Sequence, residues 1–370
     1  MKGIWTYSHL LPGVQEDCKL TLGEGHTPLV KSKRIGPSIG LDNLYFKLEI
    51  LNPSGSYKDR FAAAAVSHLK QQDVSFCLAT SSGNTGAALA AYSAAAGIPC
   101  FLAIVDGAPS GKLQQMQVYG ATTMMIKDFG KDLHVTGAVF SGLNDLADKY
   151  GSPVQISAYC YSPLGMAGVQ TIAYEIAEEL GAVNAHVFSP AGGGGLTLAV
   201  AKGFQLWKEQ HAPYMLPKVH CVQPVGNNTI AGPLHAGAAM AQEVDKSSTT
   251  ISGLQVPGVM DGNEVIAACR ATGGTGYAVT DELIYACQSS LSAMEGIYCE
   301  PAGAVALAGL QLALERGEIN REDHVVCLVT GHGFKDPVAA QKMADKSAGL
   351  YFNNTGDAFL YLKSTIKNKK

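Results

Sequence analysis

Seven short apolar runs, almost free of charge, recur along this chain, with alanine-rich or amphipathic stretches between them. They fall at 76–79, 100–105, 123–126, 154–156, 186–189, 219–223 and 325–329. The stretches 59–70, 85–96, 112–119, 133–150, 168–180, 196–210, 281–294 and 302–315 have the length and spacing of helices. A strand that is apolar on both faces needs cover above and below, and helices returning between parallel strands provide it. The pattern predicts an α/β chain of two domains with twisted, mostly parallel sheets flanked by helices. Residues 58–152 are expected to form a small domain, and 1–57 with 153–370 a large one. Residues 238–276 are mixed in composition and show no clear pattern.

Composition agrees. Charged residues are only 16% of 370, hydrophobic residues 47%, and there are 42 glycines, the profile of a compact α/β enzyme with many tight turns. A net charge of -4 gives no electrostatic reason to expect nucleic acid or an anionic membrane as partner. The basic residues of 363–370 read as a frayed, solvated end. Nine cysteines without a Cys-x-x-Cys pair fit reduced, buried thiols of a cytoplasmic protein and offer no zinc site. The start of the chain has no signal-peptide pattern. The longest charge-free stretch, 74–105, is interrupted by Ser81, Ser82, Gly83, Asn84, Gly97 and Pro99, so it reads as strand, loop, helix and strand of a soluble protein.

Four loops carry chemistry. The run Asn52-Pro53-Ser54-Gly55-Ser56-Tyr57-Lys58-Asp59-Arg60 is turn-rich and ends where the alanine-rich stretch 61–66 begins. Lys58 is therefore expected in the first turn of a helix, where the dipole disfavours its charged form. A neutral amine there can attack an aldehyde. Taken alone, a solvated lysine paired with Asp59 fits the same residues. Thr80-Ser81-Ser82-Gly83-Asn84-Thr85-Gly86 joins a strand to a small-residue helix. Its amides and hydroxyls suit a carboxylate and Asn84 offers donor and acceptor, although a plain capped turn would use the same residue types.

Gly192, Gly193, Gly194 and Gly195, followed by Leu196, sit between a buried strand and a helix. Four glycines let several amides close on an anion, so this loop reads as a phosphate cup. It matches neither the nucleoside-triphosphate nor the dinucleotide pattern. In Val329-Thr330-Gly331-His332-Gly333-Phe334-Lys335-Asp336, Thr330 places a hydroxyl at a strand end. His332 and Lys335 fit an acid or base, and equally a turn histidine and a surface lysine.

These loops, in this order, resemble those of pyridoxal-phosphate enzymes of fold type II, the tryptophan synthase β-like fold, and most closely the threonine synthase family. Gly23-Glu24-Gly25-His26-Thr27-Pro28-Leu29 and Glu295-Gly296-Ile297-Tyr298-Cys299-Glu300-Pro301-Ala302-Gly303-Ala304 resemble two further motifs of that group. The resemblance implies that Lys58 holds pyridoxal 5'-phosphate as a Schiff base and acts as the mobile base. It implies that Asn84 meets the ring 3-hydroxyl and that Gly192, Gly193, Gly194, Gly195 and Leu196 receive the cofactor phosphate. Ser81, Ser82 and Thr85 would grip the substrate carboxylate, and Thr330 would face the ring nitrogen. A hydroxyl there does not hold the ring nitrogen protonated, which in the family accompanies elimination and replacement. A small amino acid as substrate and a homodimer are also implied.

The chain departs from the family at one place. Threonine synthases commonly carry an Asn-Pro-x-Arg segment that helps hold the substrate's phosphate, and here Ser162-Pro163-Leu164-Gly165 stands in its place. Glycine cannot replace a bidentate phosphate partner. The glycine-only loop also resembles serine/threonine dehydratases. Three functions follow: a threonine-synthase-like lyase, a serine/threonine dehydratase or β-replacement enzyme acting on serine, threonine or an O-activated serine, and a non-catalytic protein that kept the fold.

Overall fold

The computed structural model describes residues 3–107, 110–130, 132–345 and 349–367. Its strands are β1 Leu29–Lys31, β2 Leu44–Leu48, β3 Cys77–Thr80, β4 Cys100–Ile104, β5 Thr122–Met125, β6 Ala185–Pro190, β7 Lys218–Pro224, β8 Gly276–Val279 and β9 His324–Val329. The helices up to β6 are α1 Ile35–Ser38, α2 Lys58–Gln71, α3 Asn84–Ala96, α4 Ser110–Val118, α5 Leu133–Tyr150, α6 Pro163–Val169 and α7 Thr171–Leu180. After it come α8 Gly195–Gln210, α9 Ala231–His235, α10 Gly262–Ala271, α11 Asp281–Ser290, α12 Pro301–Glu315, α13 Pro337–Ala344 and α14 Thr355–Lys367.

Two sheets result. One has the order β1-β2-β9-β6-β7-β8 and the other β3-β4-β5. Every pairing is parallel except β1 with β2. Residues along the larger sheet alternate between two buried cores. Val326 and Leu328 face the core shared with α2, α3 and α8, whereas Val325, Cys327 and Val329 face the one built on α11 and α12. Cover on both faces is what the uninterrupted apolar runs required.

Several elements differ from the sequence expectation. Residues 154–156 form no strand; only Gln155 bridges to Ala79. The expected helix 168–180 is two helices, α6 and α7, meeting at Gln170, and 281–294 ends as a π turn at Leu291–Glu295. β1, β2 and β8 were not anticipated. β1 is an edge strand whose side chains are largely exposed, so it has no apolar run to read. The patternless stretch 238–276 contains α10. The expected frayed end is helical as far as Lys367, although α14 buries none of its residues; the basic residues Lys369 and Lys370 lie outside the described residues. All nine cysteines are free, and seven are buried, with Cys160 exposed and Cys18 half-buried.

Near the start of β6 and β7, far along the strands from the loops above, two buried histidines stack, with His186 Nδ1 and His220 Nε2 3.0 Å apart. His220 Nδ1 accepts from the Thr275 amide, so its Nε2–H donates to His186. Burial pulls both below the usual histidine range, His186 to about 4 and His220 to about 3. The unfolded chain takes up these protons near pH 6.5 and the folded one does not, so their contribution to stability falls as pH drops from about 6.5 towards 4. Asp59, whose carboxyl burial pushes up to about 7, pulls the other way over the same range. The check is therefore a difference: between about pH 6.5 and 5, His186→Gln should lose less stability than wild type, read from urea midpoints. Parallel midpoints would refute the assignment.

Candidate active site

The four loops converge at one end of the two sheets. α2 begins at Lys58 because Pro53 and Gly55 hold the preceding turn and the alanines of 61–66 sustain a helix behind it. The Lys58 amine donates to Ser157 Oγ at 2.6 Å and sits 4.5 Å from the centre of the Tyr57 ring. Burial pulls its pKa down to about 7, and Asp261 opposes this only in part. Ser157 Oγ also meets Thr85 Oγ1 at 2.8 Å, which ties Lys58 to the start of α3. Ser157 was not foreseen, for it lies in an irregular stretch with no motif around it.

The glycine loop lies against the same residue. A side chain at Gly195 would come within 2.9 Å of the Ser157 carbonyl, and one at Gly193 within 2.8 Å of Met260 Sδ. Gly194 has φ +98°, the left-handed region that glycine tolerates, where it leads into α8. The Gly193 carbonyl accepts from the Asp261 amide and the Gly192 carbonyl from Gln223 Nε2. Amides at the start of α8 are left for an anion, and the helix dipole favours one there. Asp261, close to this cup, is engaged elsewhere: its carboxylate accepts from the Tyr159 and Cys160 amides. Leu196 is buried in the first turn of α8.

At the start of α3, Ser81 Oγ accepts from the Gly83 and Gly86 amides, and Ser82 Oγ from the Val105 amide. Both hydroxyls are thus engaged by backbone, and Thr85 by Ser157. Of the first-turn amides of α3, Gly86 donates to Ser81 Oγ and Ala87 to the Gly83 carbonyl, which leaves those of Asn84 and Thr85 for a carboxylate. Asn84 Nδ2 donates to Glu300 Oε1 at 2.6 Å, while Asn84 Oδ1 is buried without a partner among the described residues.

Thr330 is buried just beyond β9, and its carbonyl accepts from the Tyr57 amide. Gly331 follows because a side chain there would meet Glu300 Oε1 at 2.1 Å. Lys335 is not the surface lysine of one reading: it is buried and donates to Gln115 Oε1 at 2.9 Å, with burial pulling its pKa down to about 8. His332 accepts from the Phe334 amide, a turn histidine. A cavity of about 480 Å³ beside these residues is lined by Ser54, Gly55, Gln115, His332 and Lys335.

A buried amide oxygen with no partner among the described residues, a glycine cup at a helix start, and a buried amine of lowered pKa beside them suit a phosphorylated aromatic aldehyde. The family model described as pyridoxal-phosphate dependent enzyme matches residues 20–331, and the chain belongs to that family. It is a pyridoxal-phosphate-dependent lyase of fold type II. Its curated relatives include the threonine synthase of Methanosarcina acetivorans, 34% identical over 340 residues that cover 90% of this chain and 80% of the relative. That of Halalkalibacterium halodurans is 32% identical, covering 96% of this chain and 95% of the relative. Among solved structures, the processed threonine deaminase isoform 2 of Solanum lycopersicum superposes with a TM-score of 0.71 at 23% identity, over 87% of this chain and 83% of that one. Maize serine racemase gives 0.71 at 22%, over 87% and 92%. These two likenesses speak for the fold alone.

Proposed function

We propose that this chain is a threonine synthase, forming threonine from O-phosphohomoserine or a related activated amino acid. The observation that carries the reading is the Lys58–Ser157–Thr85 chain, which sets one amine between the glycine cup and the start of α3, in a protein one-third identical to curated threonine synthases. Bound pyridoxal phosphate would supply an electron sink for a carbanion beside the substrate nitrogen. Lys58 would hold the cofactor's aldehyde carbon as a Schiff base and, once displaced, carry the proton; burial keeps its amine neutral enough to accept one. Gly192, Gly193, Gly194, Gly195 and Leu196 would take the cofactor phosphate, Asn84 the ring hydroxyl and Thr330 the ring nitrogen. The substrate carboxylate would rest on the amides at the start of α3, with Ser81, Ser82 and Thr85 shaping that turn. The same reading assigns residues 58–152 to a smaller domain that carries this carboxylate loop. It takes the protein as a cytoplasmic homodimer, the compartment supported by nine free thiols. No helix among the described residues is long and apolar enough to cross a membrane.

One observation favours a second reading, a dehydratase or β-replacement enzyme. A side chain at Gly165 would come within 2.6 Å of the Phe61 ring and 3.0 Å of Ala65, so α6 packs on α2 with no space for the family's arginine. Incubation with O-phosphohomoserine should release inorganic phosphate and threonine in equal amounts, with no keto acid formed from serine. Keto acid from serine or threonine, without phosphate release, would establish the second reading instead.

A further inference from the structure

A carboxylate can only accept hydrogen bonds, so the side-chain amide of Asn84 must turn its NH₂ towards Glu300. That orientation leaves Asn84 Oδ1 buried with no partner among the described residues. Glu300 cannot move away to relax it. Its other oxygen, Oε2, forms an ion pair with the Lys112 ammonium at 2.9 Å, by charge rather than by an aligned hydrogen bond. Its amide donates to the Gly331 carbonyl at 2.9 Å, and Lys112 is anchored on Ser252 Oγ at 3.2 Å. Glu300 is 2% and Lys112 1% exposed, so the pair is desolvated and costly to break from one side. Lys112 belongs to α4, beside the three-stranded sheet, and Glu300 to the turn before α12, on the six-stranded one. The contact therefore joins the two sheet units at Asn84.

We propose that Glu300 is a positioning residue: clamped by Lys112, it fixes the amide of Asn84 and thereby decides which atom of Asn84 meets the cofactor ring. The proposal rests on the reading that Asn84 faces that ring. Without Glu300 the amide can turn over, presenting a donor where an acceptor stood, and the balance of the proton between the Lys58 nitrogen and the ring hydroxyl shifts. Two readouts separate this from a merely structural role: cofactor affinity, by titrating apo-protein with pyridoxal phosphate, and the ratio of the holoenzyme's yellow band to its near-ultraviolet band.

In Glu300→Ala the cofactor Kd should rise about tenfold, as for loss of one hydrogen bond to a charged group, and the band ratio should change. Glu300→Gln keeps the volume but presents either an acceptor or a donor, so it should shift the band ratio with a smaller loss of affinity. Lys112→Met should act in the same direction, and it carries the test with Glu300→Gln if the alanine variant fails to fold. Asn84→Ala is the control. If it shifts the spectrum while the Glu300 and Lys112 variants keep wild-type ratio and affinity, the positioning role is wrong and the place of Asn84 stands. If Asn84→Ala itself leaves spectrum and affinity unchanged, both fall.

Discussion

Lys58→Ala should yield a protein without the yellow absorbance of the holoenzyme and with turnover lowered about 10⁴-fold. That is the upper end of what a positioned base contributes, as expected for an amine that would also hold the cofactor. The residual protein should still bind pyridoxal phosphate weakly, since the glycine cup does not depend on the lysine. The pH dependence has a definite sign. Only the neutral amine attacks an aldehyde, and burial sets its pKa at about 7, so the rate at which apo-protein captures the cofactor should rise with pH and be half-maximal near that value. Stopped-flow absorbance across the range checks this. A Lys58→Ala protein as yellow as wild type would remove the lysine from its assigned role.

The second large effect concerns Arg60, two residues further along α2. Its guanidinium is fully buried and donates to Glu49, Glu175 and Thr171, while Lys47 pairs with Glu175 at 2.8 Å. Although burial alone would raise the Glu175 carboxyl, Arg60 and Lys47 hold it down at about 2. Arg60→Ala should therefore cost about 3–5 kcal/mol in denaturant unfolding, because it leaves the buried carboxylates of Glu49 and Glu175 without their guanidinium, and Lys47 pairs with only the second of them. Arg60→Lys should not restore the loss, since a single ammonium cannot fill two forks. Arg321→Ala, which breaks only the exposed pair with Asp42, should leave stability unchanged and serves as control. An Arg60→Ala protein as stable as that control would show that the network does not hold α2. Because α2 carries Lys58 at its first turn, activity should fall with stability.

The sequence resolved the α/β class and most buried strands for one reason. β6, β7 and β9 are apolar on both faces and need no neighbour to reveal it, as their division between two cores shows. β1 and the helix Gly262–Ala271 were not legible, the first because an edge strand tolerates polar side chains, the second because it is embedded in irregular chain. At the site, Lys58, Asn84, Thr330 and the four glycines stood out because each lies in a short local motif. Ser157, Lys112 and Glu300 did not. Glu300 was seen only as a letter of a motif, and Ser157 as nothing at all, because their partners lie more than 70 residues away in the chain.

What the sequence determined by itself was local: where helices begin, where glycine lets the backbone approach an anion, and which lysine stands at a helix start. The state and orientation of those groups come from the packing of distant segments. Burial, a property of the packed whole, brings Lys58 close to neutrality, and a carboxylate 216 positions along the chain turns the amide of Asn84. The contact of Gly165 with Phe61 is equally tertiary, and it closes the position where the family's arginine would stand. Distance and desolvation act through space, and spacing along a chain does not encode them.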